Sequence, residues 1–157
     1  MAIIENFPED LLAEHERWHM SMSMRARAGD GLDFLAFHRD FLSRAMDWYR
    51  SERLDPQMLR PWSSIPVEIK NHPRWDQRLQ EAENRVNRNL DSFRSADELG
   101  RFLLATNLHG AVHVLGAEVY NEPDFALIAR SPRSTYFYKW HRLIDNWWRR
   151  LEEERQD

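Results

Sequence analysis

Four of the seven histidines in this 157-residue chain form two matched pairs. His15 and His19 lie in "LAEHERWHMSM", and His109 and His113 lie in "TNLHGAVHVLGAE". Random placement would give roughly 0.3 pairs at this spacing. On a helix, residues i and i+4 project from adjacent turns of one face, so two imidazoles can converge on a single ion. Each pair is followed by a further histidine on the next core segment, His38 after the first and His141 after the second. Each set could therefore offer three nitrogens and leave positions open for a small ligand. The competing explanation is a set of hydrogen-bonded core histidines without a metal. His72, beside Pro73, stands outside the pattern and reads as a loop or surface residue.

Other residue types narrow the chemistry. Cysteine is absent, which removes disulfides, thiolate ligands and cysteine nucleophiles. Six neutral imidazoles fit copper best and zinc second. A di-iron bundle carries two Glu-x-x-His motifs, and this chain has that spacing only at Glu16 and His19. A net charge of −4 argues against a nucleic-acid partner or an anionic membrane surface. The first residues, "MAIIENFPED", lack a basic and apolar leader, so the expected location is cytoplasmic, with export on a partner left open. No run approaches the length of a transmembrane helix.

The elements that would position these histidines read as helices in a single domain spanning 1–157. Asn6, Pro8 and Glu9 suggest an N-cap, a helix-start proline and a capping acid for a helix over about 8–28. "AGDG" ends it, and "LDFLAFHRDFLSRAMDWYR" predicts a second helix to about residue 51. Four prolines in 54–73 predict a long irregular connection, followed by a charged helix over about 74–90. Ser95 and Glu98 form a capping box that opens one helix through "ADELGRFLLATNLHGAVHVLG". After a turn-rich stretch at 117–133, "STYFYKWHRLIDNWWRRLEEE" predicts the last helix. The expected fold is all-α, an antiparallel four-helix bundle with long irregular loops. Seven Trp and eight Phe promise a core or pocket rich in rings. Met20, Met22 and Met24 alternate along the first helix, so they do not share a face, and they read as core filling or exposure rather than a copper-handling strip.

The last helix carries a family resemblance. "SPRSTYFYKWHRLIDNWW" resembles the second-copper signature of tyrosinases and related type-3 copper proteins, Ser-Pro-x-Asp-Pro-x-Phe-x-x-His-His-x-x-Ile-Asp-x-x-Trp. Ser131, Pro132, Phe137, His141, Ile144, Asp145 and Trp148 fall in register. "LHGAVHVLGAE" is similar to the family's Leu-His-Asn-x-Val-His-x-x-x-Gly-Gly at Leu108, His109, Val112 and His113. "FLAFHRDFL" is similar to the first-copper motif Phe-Leu-Pro-Trp-His-Arg-x-Tyr-Leu at Phe34, Leu35, His38, Arg39 and Leu42.

The resemblance implies two copper ions, each held by three histidines, with dioxygen as co-substrate bound between them. It implies oxidation of an o-diphenol, an o-aminophenol or a monophenol to a quinone-type product, or oxygen binding without turnover. The substrate would be a small aromatic molecule or an aromatic side chain of a peptide, and a copper-delivery partner is left open. His15, His19 and His38 would form the first site, and His109, His113 and His141 the second. Arg39 and Asp145 would pair and tie the two copper-bearing helices together, the alternative being two solvated charges on helix faces.

Departures from the family pattern carry information too. The usual first site takes its middle histidine from the loop before the His-Arg pair, and "RARAGDG" has none. His15 is the replacement, and the alternative is a weak site made from His19 and His38 alone. Gly110 stands where phenol-hydroxylating members carry an Asn that helps deprotonate the phenol, which argues against efficient monophenol hydroxylation. Trp140 replaces the first residue of the His-His pair and is expected to change the pocket wall. Selectivity is expected from the loops 54–73 and 117–133. A non-catalytic helical bundle, holding zinc or no metal, remains the reading from a different class.

Overall fold

The computed structural model describes residues 2–22 and 26–155, and among these the regular structure is all helical. Seven α-helices follow in order: α1 Glu9–Ser21, α2 Asp30–Ser51, α3 Val67–Lys70, α4 Gln77–Arg88, α5 Ala96–Ala105, α6 Leu108–Val119 and α7 Thr135–Glu154. Short 3-10 turns occupy Pro56–Leu59, Leu90–Ser92, Pro123–Ala126 and Ser131–Arg133. None of the described helices is long and apolar enough to cross a membrane.

Three local expectations are corrected. Asn6 does not cap α1; it takes a left-handed φ of 59°, and Pro8 precedes the first turn without a side-chain cap. The first helix stops at Ser21 rather than near residue 28, with the Ser21 hydroxyl donating back to the Trp18 carbonyl and Met22 already extended. Such back-bonding from Ser competes with the helix ladder. Met24 lies outside the described residues.

The helix expected to run unbroken from Ala96 to Gly116 is two helices. Thr106 donates its hydroxyl to the Phe102 carbonyl at 2.7 Å, and Asn107 turns left-handed at φ 61°. Asn tolerates that region because its short polar side chain lowers the penalty. The break gives α6, which carries His109 and His113, a direction of its own. The first half of the capping box at the start of α5 forms, with Ser95 accepting from the Glu98 N–H at 3.1 Å, but the Glu98 carboxylate accepts from the Arg94 N–H at 2.8 Å, one residue before the cap.

The proline-rich connection is partly ordered into a 3-10 turn and the single turn α3. The charged segment forms α4, capped by Asp76, whose side chain accepts from the Leu79 N–H. It covers the core through Leu79, Ala82 and Val86, and its buried Glu83 is neutralised by Lys70 at 3.1 Å.

Packing is closest between α2 and α5. A Cβ on Gly100 would collide with the Gly31 backbone, so only glycine at both positions lets the two helices approach this closely. Asp97 of α5 accepts from the N–H groups of Gly29 and Leu32, which caps the start of α2 from outside. At the other end, the Ile4 N–H donates to Arg133 and the Thr135 N–H donates to Ala2, pinning the N-terminal segment against the start of α7.

Two apolar clusters result. One gathers Phe34, Leu99, Leu103, Val112, Trp140 and Trp147; the other gathers Phe7, Leu12, Phe41, Leu42, Phe137 and Tyr138. The histidines occupy the seam between them, with Phe34 on one side and Phe41 and Phe137 on the other.

Candidate metal centre

The six predicted histidines come together as two triads, His15–His19–His38 and His109–His113–His141. Within each, one ring nitrogen from every member lies within 4.8 Å of the others. Helices α1 and α2 build the first triad, and α6 and α7 build the second. The triads adjoin. His38 stacks on His141 with ring centroids 4.4 Å apart and planes 5° from parallel, and Phe34 packs against both His38 and His109 at 4.8 Å.

Backbone carbonyls select the tautomers. A carbonyl only accepts, so the nitrogen facing it carries the ring proton. The Nδ1–H groups of His15, His38 and His113 donate to the carbonyls of Ile128, Phe34 and Phe125 at 3.0, 2.9 and 2.7 Å. Their Nε2 atoms are left as bare lone pairs. Those of His15 and His38 are buried without any hydrogen-bond partner. An unpartnered buried acceptor typically costs about 1–3 kcal/mol, so two in one triad need an explanation that packing does not supply.

In the second triad the three Nε2 atoms form a nearly equilateral triangle with sides of 3.1, 3.2 and 3.3 Å. Its centre is about 1.9 Å from each corner, close to the ~2.0–2.1 Å metal–nitrogen distance of a histidine site. The His113 proton is engaged by Phe125, so whatever tautomers the other two rings adopt, at least one of the three contacts sets two lone pairs or two N–H groups against each other. The donor chemistry and spacing fit a metal ion at each triad. His141 departs in one respect, since its Nδ1 is buried without a partner.

All six rings are held toward the neutral form that ligation requires. Burial lowers His15 to about 3, His19 to about 4 and His113 to about 4. Burial, with repulsion from neighbouring imidazoles, also pushes His38, His109 and His141 well below the usual histidine value. His72 belongs to neither triad: its Nδ1 accepts from the Arg74 N–H and its Nε2 lies 3.5 Å from Glu118.

Arg39 and Asp145 are paired as expected, at 2.6 Å between α2 and α7. The pair is part of a larger arrangement that motif spacing did not reveal. Arg39 also meets Glu152 at 3.1 Å and lies 3.5 Å over the Trp148 ring, while Asp145 accepts from Arg149.

A cleft of about 210 Å³ opens onto His15, His19, His109 and His113. That is room for one aromatic ring, since an apolar cavity of about 150 Å³ holds benzene. Its walls include Met22, Leu104, Gly110 and the stretch from Phe125 to Ile128; Val114, Leu127 and Ile128 remain exposed at its rim. Loop 117–133 thus contributes to the cleft as expected, whereas 54–73 does not line it. Trp140 is not a cleft wall either: it is fully buried and donates its indole N–H to the His109 carbonyl. Among the described residues, Ser131 is the only polar side chain besides histidine in the lining, and its hydroxyl is engaged by the Phe125 carbonyl.

Residues 125–131 have a role that sequence reasoning missed. This segment supplies the carbonyls that orient His15 in one triad and His113 in the other. Every residue has a carbonyl, so side-chain identity held no signal for it.

No family model, curated protein or solved structure matches the chain. The histidines and what surrounds them are therefore what bears on function.

Proposed function

We propose that α1, α2, the broken α5–α6 segment and α7 form an antiparallel four-helix bundle around two copper ions, and that the protein uses dioxygen to oxidise an o-diphenol or o-aminophenol to a quinone-type product. The observation that carries this proposal is the pair of adjoining three-imidazole sets, joined by the His38–His141 stack and reached from one ring-sized cleft. Soft to intermediate nitrogen donors without carboxylate or thiolate suit copper. His15, His19 and His38 would hold one ion, and His109, His113 and His141 the other. The copper pair, when bound, would supply the reactivity toward dioxygen that no side chain here provides.

The chain's own residues do the remaining work. Phe34, Phe125 and Ile128 hold three imidazoles in the ligating tautomer through their carbonyls. Phe34, Phe41 and Phe137 keep water from the buried side of the site. The cleft has room for one planar ring beside His109 and His113. No carboxylate or amide among the described lining residues stands ready to take a phenolic proton, which favours pre-activated diphenols over monophenols. The exposed rim leaves room for either a small aromatic molecule or an aromatic side chain of a peptide.

Metal content after copper loading tests the reading. Two coppers per chain, with a near-ultraviolet absorption that appears under oxygen and oxygen uptake on adding catechol, support it. Two coppers without uptake on catechol or aminophenol indicate oxygen binding alone. One zinc or no metal after loading sinks the dicopper assignment in favour of a structural bundle.

A further inference from the structure

The ring-rich composition has a use that neither the metal sites nor the cleft absorbs. Behind the second triad, Trp140 directly precedes His141 and donates its indole N–H to the His109 carbonyl at 3.3 Å. Trp62 lies 6.3 Å from Trp140 between ring centroids. Tyr120 and Tyr136 each lie 6.4 Å from Trp62 and stack on one another at 4.3 Å, with planes 6° from parallel. The line ends at the surface, where the Tyr120 hydroxyl donates to the exposed carboxylate of Glu68 at 3.0 Å. Every link after His141 is an oxidisable ring close to the next. The side branch to Trp147, 5.7 Å from Trp140, ends in the core.

We infer that Trp140, Trp62 and the Tyr120–Tyr136 stack form an electron path that carries electrons from the surface to the histidine centre when an oxidising equivalent is generated there without a phenol to receive it. The role rests on the proposed oxidase for its oxidant, dioxygen admitted at the cleft. The path itself is a property of the rings. Trp140 gives up one electron to the centre, Trp62 refills Trp140, and Tyr120 refills Trp62. As Tyr120 loses its electron, its O–H proton passes to the Glu68 carboxylate, leaving a neutral phenoxyl radical and a protonated acid. An external one-electron reductant of the thiol or ascorbate class restores the phenolate electron, and the proton returns from Glu68. The net change is one electron moved from that reductant to the centre. Tyr120 is suited to the terminal position because an oxidised phenol is strongly acidic and its proton acceptor is already hydrogen-bonded.

The path is tested without relying on copper chemistry. In the zinc-loaded full chain, whose metal is redox-silent, azide radicals made by pulse radiolysis oxidise tryptophan. The tryptophan radical's visible absorption should decay as a tyrosyl absorption rises. Trp62→Phe and Tyr120→Phe should each slow this transfer by an order of magnitude or more. The exposed substitution Glu68→Gln, which does not threaten folding, should slow it too. Trp48→Phe, at a ring whose aromatic neighbour is Phe7, should leave it unchanged. Equal transfer rates in wild type, Trp62→Phe, Tyr120→Phe and Glu68→Gln overturn the path. In the copper-loaded chain under oxygen without phenol, mass spectrometry should find oxidation shifted from Tyr120 to Trp140 and the ligand histidines in Tyr120→Phe. Oxygen uptake with catechol alongside a failed radiolysis test overturns the path and leaves the oxidase standing. Radical transfer without any oxygen uptake sinks the oxidase, and with it the delivery of electrons to an oxidising centre.

Discussion

Replacing His15 with Leu separates a ligand from a core residue because the two roles predict opposite effects. In the metal-free chain, His15 is 2% exposed, lies among Phe37, Phe41 and Phe137, and has a buried Nε2 without a partner. Leucine is of similar size and removes that orphaned acceptor, a gain of about 1–3 kcal/mol. It also removes the Nδ1–H bond to the Ile128 carbonyl, a loss of about 0.5–1.5 kcal/mol, softened because Ile128 lies at the exposed rim. The metal-free variant should therefore match or exceed wild type by about 1 kcal/mol. With copper at about a hundredfold excess over its dissociation constant, a bound site stabilises the fold by about 2.7 kcal/mol, and the variant should lose that contribution at the first triad. For a chain of this size, this trims the copper-induced rise in melting temperature by about 5–10 °C. Calorimetry of both proteins, metal-free and copper-loaded, gives the comparison, and metal analysis should show copper falling from two to one per chain. A metal-free His15→Leu destabilised by about 3 kcal/mol or more, as for a core truncation, with copper content unchanged, would refute the assignment.

Three further outcomes follow from the same geometry. Arg39→Met keeps the stem over Trp148 but strands a largely buried Asp145 with Arg149 alone, so urea unfolding should show a loss of about 2 kcal/mol; an unchanged midpoint would make the pair a surface ornament. Gly100→Ala forces α2 and α5 apart at Gly31 and should cost about 1–3 kcal/mol or more by the same assay, whereas a neutral result would show that the crossing is looser than described. Acid should unfold the metal-free chain between about pH 6 and pH 4, because the unfolded chain takes up protons below the ordinary histidine value of 6.5. Burial keeps His15 from doing so until about 3, and His19 and His113 until about 4, so stability falls as pH falls across that window. Circular dichroism against pH checks it, and a flat profile down to about pH 4 would mean the rings are solvated.

The spacing of the histidines foretold where they gather better than the sequence pattern foretold the helix boundaries. Matched pairs at i and i+4 need only local helix geometry to converge, and both pairs lie on helices, α1 and α6. The third member of each set, His38 and His141, was also legible because each lies on a long amphipathic helix with one buried face. The break at Thr106–Asn107 was not legible, because apolar residues continue in helical rhythm on both sides of it. A hydroxyl-to-carbonyl bond and one left-handed residue, both dependent on the final packing, decided it.

The amino-acid sequence by itself determined which side chains are available as ligands, that no thiolate competes with them, and that each pair shares a helix face. Tertiary structure alone decided that the two triads adjoin, since the His38–His141 stack joins positions more than a hundred residues apart. It also decided which ring nitrogen is free, because carbonyls from Phe34, Phe125 and Ile128 hold the proton on the other. Those carbonyls are chemically the same at every residue. Only the folded path of the chain makes three of them into the groups that orient a site.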